Sequence, residues 1–491
     1  MQLGQWVRHY LVYGIGVVLM SFLPSLLIPI YTHRIAPSDY GVLELLNRSA
    51  DALILAISFG LRATLLTFYQ MAREEPERRR GVYSTALQFA TTAGLVVVAG
   101  LALFAGRLSG VLFGSRSYMA AVILILAATY FELLFQLSAL YLQSEMRSGI
   151  YVTVHVSRLL FAILLNLVLV YWWRWGLIGI LLAMVLHSGI FALWMLVYMF
   201  RNTGFVFQAT LLWEMLRFGL PLVPASLAGF VLNNGDRYFL NAYATRADVG
   251  IYGLGYALGM ASMSLVLQPF GKIWSTTMVD ISRRPDGPRA LGNIAFYLLA
   301  VCAFSTLGLS LLGPYAVRLL AARPYWEAYR VIPVVGAAYI FYAWTVVMDA
   351  SFYVTKRTVF KPIILSLSSA VILLLYWSLI PRFGMMGAAW ATLGGFAASA
   401  ALTAAFSQRV YHIDYPLGRI ILLLALAWVL YEVGSFLPVA PILAGSVGRV
   451  AVTLAFPIIL WAGGFLTPGE RRALAEYWKG LRSRLPIPVR S

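Results

Sequence analysis

Charged residues are few in this chain. Asp, Glu, Lys and Arg make up 11% of its 491 residues, against 61% hydrophobic, and the mean hydropathy is +0.81. A water-soluble globule of this length needs much more polar surface, so the soluble classes are excluded and the chain reads as an integral membrane protein. Cysteine is nearly absent. The single Cys302 lies inside an apolar stretch, excludes an intramolecular disulfide and a Cys-based zinc site, and reads as a small core residue. The five histidines, His9, His33, His155, His187 and His412, share no metal-ligand spacing, and there is no Gly-rich loop with a lysine to cradle a nucleotide. Only short loops join the apolar stretches, which leaves no room for the carboxylate-bearing extramembrane domain of a membrane glycosyltransferase or polymerase. The expectation is a chain that is not an enzyme, with no cofactor and no metal.

What is present is a series of apolar stretches. A bilayer core is about 30 Å thick and a helix of about 20 residues crosses it. Fourteen such stretches run from roughly 11–31 to roughly 446–466. The expected fold class is an all-α polytopic membrane protein of about fourteen transmembrane helices. The first stretch begins after ten residues and has no small-residue cleavage site, so it reads as a retained helix and not as a signal peptide.

The formal net charge of +18 is assigned to membrane topology before nucleic acid. With the N-terminus in the cytoplasm, 22 Lys and Arg fall on the cytoplasmic side and ten outside, Arg449 among the ten. That ratio fits both termini inside under the positive-inside rule. The tail, residues 467–491, places Leu474, Tyr477, Trp478 and Leu481 at helical spacing beside basic residues. It reads either as a helix lying on anionic lipid or as a solvated charged tail.

The chain repeats itself. "APSDYGVLEL", with Asp39 and Gly41, returns as "TRADVGIYGL", with Asp248 and Gly250, at an offset of 209. "RWGLIG" from Arg174 returns as "RFGMMG" from Arg382 at an offset of 208, and "SFGLR" (Ser58 to Arg62) has its counterpart in "PFGK" (Pro269 to Lys272). The organisation expected is a six-helix half over 1–205, a second over 210–410 in the same orientation, two further helices over 418–466, and the basic tail. Parallel repeats of this kind place a substrate between the halves.

The first helix of each half is interrupted, by Pro24 and Pro29 and by Pro221 and Pro224. Proline removes a backbone donor and bends a helix, which is tolerated at membrane depth only against protein or a wet cavity. Near the far end of the seventh stretch stands "NNGDR", Asn233 to Arg237, polar enough to line water.

Five cations, Arg48, Arg62, Arg158, Arg237 and Lys272, lie within apolar stretches. Each costs at least about 2.5 to 3.5 kcal/mol in lipid, so each needs a partner or a cavity. Arg48 shares a helix face with Glu44 and Asp51. Asp236 and Arg237 are adjacent and are expected to point in different directions. Arg158 has Glu132 and Glu145 as candidate counter-ions. Arg62 and Lys272 each follow a Phe-Gly step without an acid within one turn; they either present two cations to one central cavity, which suits an anion, or snorkel to headgroups.

With these motifs on the page, the chain resembles the Wzx-type polysaccharide and O-antigen flippases, of the polysaccharide transporter family in the multidrug/oligosaccharidyl-lipid/polysaccharide exporter superfamily. The resemblance rests on "YTHRIAPSDYGVLEL", "LRFGLPLVPASLAGFVLNNGDRYFLNAY", "VGIYGLGYAL" and "RFGMMGAAWAT", over about residues 10 to 410. It implies transfer of an undecaprenyl-diphosphate-linked oligosaccharide between leaflets of a bacterial cytoplasmic membrane by alternating access. The implied cationic cavity falls on Arg48, Arg62, Arg237 and Lys272, with Asn233, Asn234 and Asp236 as lining and Glu132 and Asp349 as candidates for ion coupling. The partners implied are the lipid-linked glycan, anionic lipids and a polysaccharide polymerase or ligase complex, with no nucleic acid. The alternative of the same fold is a cation-coupled multidrug antiporter, for which Asp349, Glu132 and Asp236 are the acids available.

Overall fold

The computed structural model describes residues 26–438 and 442–465. Most of the first apolar stretch, Pro24 and the amphipathic reading of the tail lie outside the described residues. In chain order the helices are α1 (Leu27–Thr32), α2 (Pro37–Ile57), α3 (Leu61–Met71), α4 (Pro76–Leu103), α5 (Ala105–Phe113), α6 (Met119–Ser144), α7 (Ser148–Asn166), α8 (Gly176–Thr203), α9 (Ala209–Gly219), α10 (Val223–Asn234) and α11 (Asp236–Tyr243). They continue with α12 (Arg246–Ser282), α13 (Gly287–Leu320), α14 (Val331–Met348), α15 (Ala350–Val354), α16 (Phe360–Val410), α17 (Leu417–Ser435) and α18 (Ile442–Ala462). The fold is all-α among the described residues, as the apolar stretches predict. Large apolar side chains on its outside, such as Trp172, Trp377, Leu422 and Ile458, are exposed where a bilayer would cover them.

Among the described residues, ten helices are long and apolar enough to cross a membrane, or up to twelve if each bent pair is one span. The expected count of fourteen is therefore not reached among the described residues, and two local reasons account for the gap. The first stretch is mostly undescribed. The second reason is α16, whose 51 residues extend about 76 Å at 1.5 Å per residue, more than twice a bilayer core. It is broken at Gly384 (φ 54°, ψ −130°). Close approaches pair Gly387 with Leu379, Gly394 with Leu375 and Gly395 with Ile372. Partners that move apart on both sides of the turn define an antiparallel hairpin.

The same turn is built twice. Gly176 (φ 56°) and Gly384 occupy equivalent places in the two Arg-aromatic-Gly motifs, and both need the left-handed backbone that glycine adopts without strain. Three residues on, Gly179 packs on the Leu169 carbonyl and Gly387 on the Leu379 carbonyl. The bends of the second helices differ more. α2 turns by 43° into α3 at Ser58–Gly60, where Gly60 has φ 76°, whereas α12 bends by 45° between Ala261 and Met263, two turns before the matching Phe270-Gly271 step. On these paired turns we propose the two-half division expected from the repeats.

The two proposed halves touch backbone to backbone where α2 crosses α12. A Cβ on Gly41 would lie 1.9 Å from the Arg246 carbonyl oxygen, and one on Gly250 would lie 2.2 Å from that of Pro37. Both contacts are related by the same 209-residue offset, so a pseudo-twofold axis passes between the two glycines. Small residues permit this approach, as they do in membrane helix pairs generally. Glu44 lies over Gly253, its own counterpart, where a Cβ would sit 2.9 Å from the Glu44 side chain.

The last two helices pack on α13. Arg449, expected in an outer loop, is instead inside α18 and 5% exposed. Its Nη1 and Nη2 donate to the carbonyls of Leu311 (2.9 Å) and Leu437 (2.8 Å).

Gly41→Ala and Gly250→Ala should each force the crossing apart and cost about 1–3 kcal/mol, the range for overpacked sites. Thermal unfolding in detergent checks this, with Gly100→Ala, whose Cβ meets nothing within 4 Å, expected to show no loss.

Candidate functional site

Helix α2 carries Glu44, Arg48 and Asp51 on one face, as their spacing predicts, and presents them to the start of α11. Glu44 Oε1 lies 3.2 Å from Nε of both Arg48 and Arg237. Arg48 also holds Asp51 at 2.8 Å and reaches Asn234 Oδ1 at 3.4 Å. Arg237 folds back on its neighbour, with Nη1 2.7 Å from Asp236 Oδ1, and its guanidinium lies 3.9 Å from the Tyr256 ring centre. The Tyr252 hydroxyl donates to Asp236 Oδ2, and Thr392 Oγ1 stands 3.4 Å from the same oxygen.

This geometry corrects two expectations. Asp236 and Arg237 do not diverge and do not line a cavity; they are 0% and 2% exposed. A buried guanidinium is costly unless it is paired, and Asp236 with Glu44 supplies the pairing from both sides of the interface. Counting Glu44, Asp51 and Asp236 against Arg48 and Arg237, the cluster carries one net negative charge. Arg48, also expected to make the cavity cationic, is therefore neutralised as well.

Arg62 has a different environment. The Gly60 bend starts α3 in a new direction, and Gly60 is pressed on Gly219 at the end of α9, where a Cβ would lie 2.2 Å from the Gly219 carbonyl oxygen. One residue into α3, Arg62 is exposed and forms no ion pair or hydrogen bond among the described residues. It lines a cavity of about 360 Å³ with Asp51, Gln136, Asn233 and Asn234. Both asparagines line the same cavity as Arg62. Lys272 is exposed on α12 and does not belong to that cavity, so the symmetric pair of cations is not assembled. The bend of α12 also comes two turns earlier than the bend of α2.

The candidate coupling acids are both ion-paired. Glu132 binds Arg158 and accepts a 2.8 Å hydrogen bond from Gln136, while Arg158 also contacts His187 Nδ1 at 3.4 Å and lies 4.1 Å from the Phe135 ring centre. Glu145, the other candidate for Arg158, takes Arg79 at 2.8 Å and the Tyr69 hydroxyl instead. Asp349 holds Lys361 at 2.8 Å in a cavity of about 190 Å³ in the second half. Lys361, Gln136 and Tyr252 were not singled out by sequence reasoning. Gln136 had a signal, since it stands one helical turn after Glu132, and Tyr252 and Tyr256 share a face of α12. Nothing local marks Lys361 as the partner of Asp349.

Comparison with known proteins agrees with this architecture. A structure described as the lipid II flippase MurJ in an inward closed conformation superposes with a TM-score of 0.74, at 12% identity, over 93% of this chain and 99% of that one. An inward-facing multidrug resistance MATE family transporter of the MOP superfamily superposes with a TM-score of 0.65 at 15% identity, covering 81% and 97%. A MOP superfamily transporter from Pyrococcus furiosus gives 0.56 at 14% identity, covering 82% and 95%. Identities this low show the fold alone. No match is found among curated proteins by sequence. Residues 7–274, more than half of the chain, match the family described as "Polysaccharide biosynthesis protein". With a MurJ- and MATE-like fold and a polar cavity at the meeting of its helices, this multi-pass membrane protein belongs to the polysaccharide biosynthesis protein family.

Proposed function

We propose that this protein is a flippase that moves an undecaprenyl-diphosphate-linked oligosaccharide from the inner to the outer leaflet of the bacterial cytoplasmic membrane. The observation that carries the reading is Arg62, an unpaired guanidinium in a polar cavity, beside a charge cluster that is otherwise internally satisfied. A guanidinium forks onto two phosphate oxygens, and does so more strongly where water is scarce. Asn233, Asn234 and Gln136 add groups that can hydrogen-bond to a hydrated sugar, while the lipid tail remains in the bilayer.

In this reading both termini are cytoplasmic. The Gly41–Gly250 crossing then closes the periplasmic side, and Arg62 faces the side from which substrate is loaded. Alternating access separates α2 from α12 and breaks the Glu44–Arg237 pair, while the Gly60 bend keeps its contact with Gly219. A polymerase or ligase complex that removes the glycan outside would draw the cycle forward. The alternative, a cation-coupled multidrug antiporter, needs a carboxylate free to take up a cation; Glu132, Asp236 and Asp349 each already hold a protein cation.

Depletion of the protein in its native cell should leave undecaprenyl-diphosphate-linked glycans on the cytoplasmic face. An unchanged leaflet distribution with increased sensitivity to cationic dyes would favour the antiporter. In the same assay Arg62→Gln should lower flipping about tenfold or more, the loss expected for ~1.5–3 kcal/mol of charge-assisted hydrogen bonding, and Arg62→Lys should retain part of it. Full activity of Arg62→Gln would remove Arg62 from the substrate path. Thermal unfolding separates the two arginines: Arg237→Met leaves two buried carboxylates with one cation fewer and should cost about 3–5 kcal/mol, whereas Arg62→Gln should stay within about 0.5 kcal/mol of wild type.

A further inference from the structure

The cavity in the second half has a composition of its own. Its wall includes Tyr342 and Phe396, whose ring centres lie 5.8 Å apart with the planes tilted by 37°. Its polar lining is Asn233, Thr345, Asp349, Lys361, Ser399 and Thr403. Lys361 binds Asp349 through Oδ2 at 2.8 Å and lies 3.1 Å from the Tyr353 hydroxyl. Asp349 Oδ1 makes no hydrogen bond among the described residues, and Asn233 uses only its Nδ2, which donates to the Gly229 carbonyl at 2.7 Å. Two acceptors therefore remain beside an aromatic wall.

The chemistry selects one class of ligand. The ion pair cancels its own charge, so the cavity does not attract a phosphate, and the lysine occupies the place a metal or drug cation would take on the carboxylate. A sugar ring fits better. Its hydroxyls both donate and accept, and its C–H faces are apolar, so it matches carboxylate and amide acceptors set against aromatic rings. The volume of about 190 Å³ holds about six waters, which is room for one ring and not for a chain.

We propose that this cavity is a sugar subsite that receives one monosaccharide of the transported glycan, separate from the Arg62 cavity that takes the diphosphate. Asn233 lines both cavities, so a lipid-linked glycan held by its diphosphate at Arg62 has its first sugars at the entrance to the subsite. The proposal rests on the flippase reading. It assigns Tyr342 and Asp349 to recognition of the glycan and leaves attraction of the diphosphate to Arg62.

The test uses the full chain in nanodiscs and native mass spectrometry. The probes are undecaprenyl diphosphate and the pool of undecaprenyl-diphosphate glycans extracted from cells depleted of this protein. Wild type should bind the glycan pool about tenfold more tightly than the bare lipid, the size of one or two net hydrogen bonds. Tyr342→Ala, at an exposed ring, and the paired change Asp349→Asn with Lys361→Gln, which removes both charges together, should each bring that ratio close to one without changing affinity for the bare lipid. Arg62→Gln should weaken both probes equally and keep the ratio. A ratio unchanged in both cavity variants overturns the subsite and leaves the flippase reading standing, as does a wild-type ratio of one. Failure of wild type to bind either probe overturns the flippase reading and the subsite with it.

Discussion

The buried guanidinium of Arg237 is the constraint on which the rest of the interface depends. At 2% exposure it cannot be hydrated, so it must be neutralised by protein, and its two carboxylates come from different parts of the chain. Asp236 is its neighbour on α11, while Glu44 belongs to α2, nearly two hundred residues earlier. Glu44 in turn orders Arg48, and Arg48 reaches Asn234, so one pair propagates into a line of contacts between the halves. Losing Glu44, Asp236 or Arg237 leaves a charge unpaired among buried residues, which makes these three cooperative.

That line forms only because the backbones come close enough. Gly41 and Gly250 remove the two Cβ atoms that would hold α2 and α12 apart, and Gly253 makes room for the Glu44 side chain. Symmetry and its breaking have separate roles here. The glycines obey the repeat and build the crossing. Glu44 and Gly253 occupy equivalent positions but differ, so one half supplies the charge and the other the space. Internal satisfaction of this cluster is what makes Arg62 distinct, since a cation without a carboxylate is the one able to take an anion from solution.

The helix breaks position the cavities. Gly60 redirects α3 and rests on Gly219, while the short turn Leu220–Leu222, which contains Pro221, separates α9 from α10. The Gly60 break faces the protein interior, backbone against backbone with Gly219, whereas the Leu220–Leu222 turn is exposed. Asn233 and Asn234, at the end of α10, then stand between the two cavities. One cavity holds a guanidinium without an ion pair, and the other an Asp349–Lys361 pair.

Much of this was legible in the residues themselves, because composition and local spacing act without tertiary context. The scarcity of charge specified a membrane protein, the apolar stretches specified helices, and the repeated glycine motifs marked positions where the structure then shows the α2–α12 crossing and the twin turns at Gly176 and Gly384. Glu44, Arg48 and Asp51 were placed on one face by helical periodicity alone. What sequence could not decide was which charge meets which. Arg237 and Asp236 read as cavity lining, since an isolated polar run within an apolar stretch looks the same whether it faces water or a partner; Glu44 on a distant helix settled the matter. The pairing of Asp349 with Lys361, the separation of Lys272 from Arg62, and the burial of Arg449 are likewise products of packing. Side-chain type and periodicity are properties of a segment, whereas the neutralisation of a charge depends on what another segment brings within about 4 Å, and only the folded chain determines that.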